Sequence, residues 1–168
     1  VGNVSEYAFS PEGSLLAVAI DASEKLGNGV QLMDLNASTT KILDSDVRTY
    51  SGLEWRDHSF DLAFLKEGSR KGKDYPDHLV YAFSKLDGAS TSKIFDGATF
   101  SGFPIDFRIA SEGSVAWSED GTQLFFGLKS RIQDETDAKE KKAESDSTKA
   151  ESKTNADRDK DLDPAGVD

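Results

Sequence analysis

The chain has no cysteine, a single methionine, two histidines and four prolines in 168 residues. Without cysteine there is no disulfide framework and no thiolate metal site, and the sequence carries no redox signature of its compartment. The two histidines, His58 and His78, have no His or Cys at ligand spacing, so no metal site is expected. Positive charge is scarce: 20 Lys and Arg stand against 31 Asp and Glu, a net charge of −11 with an isoelectric point of 4.6. Nucleic-acid binding requires a basic patch, and no nucleic-acid partner is expected. The one basic cluster, Lys66, Arg70, Lys71 and Lys73, is interleaved with Glu67, Asp74 and Asp77 and reads as a solvated loop. No apolar run reaches the ~18 residues of a membrane span, and no signal-peptide pattern opens the chain.

Motifs that carry chemistry are also missing. There is no Gly-x-Ser-x-Gly nucleophile elbow: Gly88-Ala89-Ser90-Thr91-Ser92 lacks the second glycine and lies in a hairpin link. No glycine-rich loop is set to cradle phosphate. Acidic residues are plentiful but scattered over turns, and no glycosidase-type carboxylate pair stands out. No catalytic, cofactor-binding or metal-ligating residue is assigned, and no cofactor is implied.

What the chain does have is a recurring unit. Phe9-Ser10-Pro11-Glu12-Gly13 precedes the apolar run Leu15–Ile20; Trp55-Arg56-Asp57-His58-Ser59 precedes Phe60–Leu65; Trp117-Ser118-Glu119-Asp120-Gly121 precedes Leu124–Leu128. Each is an aromatic, a polar turn and a strand-like segment. The first two units continue through Gly29–Leu35 and Thr40–Asp44, and through Leu79–Leu86 and Ser92–Asp96, and both close on a Lys-Ile-x-Asp core. Short apolar runs with β-branched and aromatic residues, bounded by Gly, Asn, Asp and Ser, read as strands. Four strands per unit, a to d, make a β-propeller blade.

The anchors Phe9, Trp55 and Trp117 are 46 and 62 residues apart, against roughly 40–50 residues per blade. The expectation is an all-β partial propeller. Blade one spans about 3–44, blade two about 49–96, and the third begins near 106 and shows only strands a and b. A β-sandwich of similar strands is the alternative, but it does not explain why the aromatic, turn and strand recur in one order.

Composition changes after position 130. All sixteen aromatic residues precede it, and residues 131–168 hold eight Lys and Arg and twelve Asp and Glu. The only large aliphatic residues there are Ile132, Leu162 and Val167. Such a segment buries too little apolar surface to offset its ordering entropy, so residues 131–168 are expected to be a charged, disordered insertion or linker beside a blade domain over 1–130. A solvated helix over 134–145, carrying the pairs Glu135–Lys139 and Asp137–Lys141, is the competing reading.

In an antiparallel blade the b–c and d–a connections share one end. The long stretches 21–28, 67–78, 97–105 and 129 onward all fall there, so one face of the propeller is enlarged, and loops on a rigid scaffold commonly carry function. The 67–78 loop reads as tolerated insertion, and Phe100 and Phe103 as local packing onto the blade with a binding patch as the alternative.

The segments Phe9–Gly13 and Trp117–Gly121, with their following strands, resemble the Phe/Trp-Ser-Pro-Asp-Gly signature of TolB-like (PD40) propeller repeats. Blade two departs from it, with Arg56-Asp57-His58-Ser59 in place of Ser-Pro-Asp-Gly. The long irregular units and the charged Lys/Glu/Ala insertion resemble the N-terminal propellers of bacterial prolyl oligopeptidase-like (S9) serine peptidases. That resemblance covers about 1–130. It implies a non-catalytic segment that gates substrate access to a C-terminal α/β-hydrolase domain outside this chain. The implied partners are the remaining blades, that hydrolase domain and a peptide substrate, in a periplasmic or secreted setting. A TolB-like or WD40-like propeller that binds a protein partner is the alternative. Ser118–Thr122 is also similar to the Ser-x-Asp-x-Gly box of sialidase propellers, but lacks the residue between Asp and Gly and reads as an ordinary a–b turn.

Overall fold

The structure, a computed structural model, describes residues 3–22, 26–68, 75–132 and 139. The chain divides into two compact units, Val1–Ser130 and Arg131–Asp168. In the second, only Arg131, Ile132 and Lys139 are described, with helical backbone. The expectation of disorder over 131–168, and the competing helix, otherwise fall outside the described residues, as do Arg70, Lys71 and Lys73 of the basic cluster.

The first unit is all-β. Strands β1 (Asn3–Phe9), β2 (Leu15–Asp21), β3 (Gly29–Asp34) and β4 (Thr39–Ser45) form one four-stranded antiparallel meander. Strands β5 (Tyr50–Trp55), β6 (Leu62–Glu67), β7 (His78–Ser84) and β8 (Thr91–Asp96) form a second with the same order. These are blades one and two. Four short strands follow: β9 (Phe107–Ile109), β10 (Ala116–Trp117), β11 (Leu124–Phe125) and β12 (Leu128–Ser130), paired β10–β11 and β9–β12. They are a strand a and a strand b, each broken once. The arc is open: among the described residues no strand c or d completes the third unit.

The repeat read from the sequence is a repeat in space. Phe9, Trp55 and Trp117 each end a strand a, opposite Leu16, Leu62 and Leu124 respectively. The turns that follow are equal in length and closed alike: the N–H groups of Ser10, Arg56 and Ser118 bond the carbonyls of Leu15, Asp61 and Gln123 at 2.8–3.0 Å. Where the unit has serine, its hydroxyl accepts the return N–H, Leu15 to Ser10 at 3.0 Å and Gln123 to Ser118 at 2.9 Å. Blade two has Arg56 there. Its guanidinium clamps the Asp61 carboxylate at 2.8–2.9 Å, and Asp61 in turn accepts the Lys85 N–H. Gly13 and Gly121 take the left-handed backbone of the turn, at φ 69° and 70°. In blade two that role moves to His58, at φ 51°.

Blade two is buried on both faces. Leu62 and Phe64 of β6 join Leu15, Ala17, Ala19, Val30, Leu32, Tyr81 and Phe83 in the core between blades one and two. Ala63 and Leu65 join Val80, Ile109 and Val115 in a second core against the third unit. A strand covered on both sides needs an unbroken apolar run, which is why Leu62–Leu65 does not alternate. Phe64 stacks on Tyr81 at 5.2 Å and on Phe83 at 5.7 Å, with Tyr50 edge-on at 6.1 Å. Such aromatic pairs each add about 0.5–1.5 kcal/mol beyond their area.

The third unit departs from the single strand expected over Leu124–Leu128, which is split into β11 and β12. Strand a detours through Ser111–Ser114, while Ala110 N–H bonds the Gly127 carbonyl at 3.0 Å. Gly113 and Gly127 pass so closely that a Cβ on Gly113 would lie 2.7 Å from the Gly127 Cα. Only a pair without side chains permits that crossing.

Candidate functional site

Because the blades are meanders, the starts of a and c and the ends of b and d meet at one end. Four polar residues there, Asn28, Glu67, His78 and Arg108, are buried. Asn28, fully buried, accepts the Ala22 N–H at 2.6 Å and donates to Asp21 at 3.0 Å and to the Arg48 carbonyl at 3.1 Å. It ties the b–c connection of blade one to the connection leading into blade two.

Two charged networks follow. Lys66, on β6, reaches back to blade one and bonds Asp44 and Asp46, both at 2.9 Å. Asp44 also accepts the Tyr50 hydroxyl at 2.5 Å, and the Lys66 ammonium lies 5.7 Å from the Tyr50 ring centre and 5.6 Å from that of Tyr81. Burial opposes the charge on Lys66, but the hydrogen bonds from Asp44 and Asp46 outweigh it and its pKa is raised. Burial, then the bond to Asp44, pushes the Tyr50 phenol up. A lysine held this firmly charged is neither nucleophile nor base. The sequence reading of Lys66 as part of a solvated loop is therefore corrected: it is the penultimate strand residue, and two carboxylates from the preceding blade draw it inward.

The second network surrounds Arg108. This side chain, 1% exposed, bonds Glu112 at 2.7 Å and lies 5.3 Å from the Tyr75 ring centre. Nearby, Thr49 donates its hydroxyl to the buried Glu67 at 2.6 Å, and His78 Nδ1 lies 3.1 Å from the Ile109 carbonyl. Burial lowers the His78 pKa, partly countered by that carbonyl. The Arg108 hydrogen bond holds Glu112 below its usual range.

The two histidines sit at opposite ends of blade two. His58 is exposed in the a–b turn, and His78 is buried against backbone. Among the described residues no group of His, Asp or Glu is placed to hold a metal, and no helix is long and apolar enough to cross a membrane. Burial, then the charges of Asp57 and Glu6, raises the Glu54 pKa. Glu6 itself is committed to the backbone: its two oxygens accept the N–H groups of Gly52 and Leu53, both at 2.8 Å, across the blade junction. In the turn similar to the sialidase box, Ser118 and Thr122 donate to Asp120 and pull its carboxyl down to about 2. The turn thus closes on itself. Phe100 and Phe103 lie 5.5 and 6.3 Å from Phe95; Phe103 packs against the second core, while Phe100 stays 55% exposed.

The contact with the clearest repeat is structural. Trp55 donates its indole N–H to the Ala8 carbonyl at 3.0 Å, and Trp117 donates its own to the Glu54 carbonyl at 3.3 Å. Each acceptor is the residue before the preceding unit's anchor aromatic. Sequence reasoning found the anchors but missed this bond, along with the Glu6 and Lys66 links. No family model matches the chain, and no curated protein matches it either.

Proposed function

We propose that residues 1–130 are a non-catalytic β-propeller segment of an S9 prolyl oligopeptidase-like serine peptidase, shaping substrate access to a hydrolase domain outside this chain. The observation that carries the scaffold half of this reading is the indole-to-carbonyl link made at the same position by Trp55 and Trp117. Consecutive units are docked by one rule, as a propeller wall requires. The peptidase half rests on the likeness of Phe9–Gly13 and Trp117–Gly121 to the repeats of that family. Polar side chains pin the strand ends that carry the long connections, which suits a rim that admits or excludes substrate by shape. A protein-binding propeller is the second reading.

The complete coding sequence that contains this chain separates the two. The peptidase reading expects a downstream Gly-x-Ser-x-Gly followed by Asp and His. Further blades with no such elbow would select the binding reading. Purified residues 1–168 should not turn over prolyl or general peptide substrates. Hydrolysis abolished by one substitution within the chain would overturn the scaffold reading altogether.

A further inference from the structure

The asparagine that ties blade one to the entry of blade two is followed by glycine. Of the chain's asparagines, Asn3, Asn28, Asn36 and Asn155, only Asn28 has glycine next. Asn-Gly is the dipeptide most open to self-conversion, because glycine has no side chain to shield its backbone nitrogen from the neighbouring carboxamide. Both residues are required where they stand. The Asn28 carboxamide accepts the Ala22 N–H and donates to Asp21 and to the Arg48 carbonyl, so its oxygen and its nitrogen are both in use. Gly29 opens β3 between Ile20 of β2 and Ser45 of β4, and a Cβ there would lie 2.5 Å from the Asp44 carbonyl oxygen. A side chain that would slow the reaction therefore has no room.

From this we infer that Asn28-Gly29 is a deamidation site that the fold holds closed, and that its conversion irreversibly loosens the junction of blades one and two. In the reaction the Gly29 nitrogen gives up its proton and bonds to Asn28 Cγ, the Cγ–Nδ2 bond breaks, and ammonia leaves. Water then opens the five-membered imide at either carbonyl, to aspartate or to isoaspartate. The net change is carboxamide plus water to carboxylate plus ammonia, with no oxidant or reductant. In the folded chain Asn28 is fully buried from that water. Its three hydrogen bonds also commit the carboxamide to other segments and keep it from turning back onto Gly29. Once this end of the blade opens, the bonds are gone and the reaction proceeds. Aspartate then puts an oxygen where Nδ2 stood, 3.0 Å from the Asp21 carboxylate and 3.1 Å from the Arg48 carbonyl. Two attractive contacts become repulsive, and a buried carboxylate is added beside Asp21. Isoaspartate lengthens the backbone by one carbon and displaces the carbonyl that accepts the Ser45 hydroxyl and the Asp46 N–H.

The test incubates the full chain at neutral pH, folded and in denaturing urea, and reads amide-to-acid conversion at Asn28 by peptide mass spectrometry. Conversion should be at least about tenfold slower in the folded chain, because only the open fraction reacts. In urea it should outpace conversion at Asn3, Asn36 and Asn155. Asn28→Asp should lower the Tm by roughly 8 °C or more, since it loses two buried hydrogen bonds. Adding Asp21→Asn to that variant should recover part of the fall, by returning an N–H donor to the pair. If Asn28→Asp does not fold, chains converted in urea are separated by charge from unconverted chains of the same sample, and only the unconverted chains should refold to the original Tm. Equal rates folded and unfolded, or no preference for Asn28 in urea, would overturn the site. An unchanged Tm in Asn28→Asp, no recovery on adding Asp21→Asn, or full refolding of the converted chains would overturn its consequence. None of these results bears on the peptidase reading.

Discussion

Replacing Trp55 with phenylalanine should destabilise the fold more than the same change at Trp117, and far more than Phe9→Leu, although the three positions are equivalent in the repeat. Trp55 is 8% exposed and its indole N–H is 3.0 Å from the Ala8 carbonyl. Losing that bond costs about 1 kcal/mol. Shrinking an indole to a phenyl ring gives up roughly 40 Å² of buried apolar area, about 1 kcal/mol more at ~25 cal/mol per Å². The total is about 2 kcal/mol, a fall in Tm of roughly 8 °C for a domain of this size. Trp117 is less buried and its bond is longer, 3.3 Å, so about half that effect is expected. Phe9 is 54% exposed, and Phe9→Leu should stay within about 0.5 kcal/mol. Thermal and urea melts followed by circular dichroism measure all three without relying on tryptophan emission. Equal losses at the three sites, or none at Trp55, would refute the claim that this position joins successive blades.

Glu6→Ala leaves the N–H groups of Gly52 and Leu53 without their carboxylate and should lower stability by about 1.5–3 kcal/mol in urea melts. Glu6→Gln, which retains one acceptor, should recover part of the loss, and a neutral Ala variant would dismiss this link. Acidification should weaken the protein through His78. Its pKa is lower folded than its ordinary 6.5, so the unfolded chain takes up the proton first. The contribution is therefore present above pH 6.5 and lost as pH falls from there through the depressed folded value. His78→Gln should flatten Tm against pH in that window, and an unchanged slope would show that burial of His78 is not responsible.

The strands were legible because their signals are local. Runs such as Leu15–Ile20 and Leu79–Leu86 carry the apolar pattern, and the aromatic-plus-turn segments mark where each unit restarts. Blade two's irregular Arg56–Ser59 still folds as the same turn, because Arg56 and Asp61 replace the serine hydroxyl with an ion pair. Long-range polar contacts left no such signal. Nothing near Glu6 in sequence announces that it bonds residues 46 and 47 positions away, and Lys66 looks like its charged neighbours until the preceding blade supplies Asp44 and Asp46. The broken strands of the third unit had a cue that went unused. Gly113 and Gly127 stand inside otherwise strand-like segments, where glycine marks a close backbone approach.

Residue-resolved amide exchange tests the central claim most directly: blade two is the middle layer of units docked in series. Leu62 and Phe64, in the first core, and Ala63 and Leu65, in the second, are each no more than 1% exposed. The amides of β6 and β7 should therefore exchange only by global opening, with β1 and the third unit's short strands opening at lower free energy. Slowest exchange in β6 and β7, graded outward to either side, is the predicted result. Equal protection across all units, or β6 exchanging as fast as β1, would contradict the account.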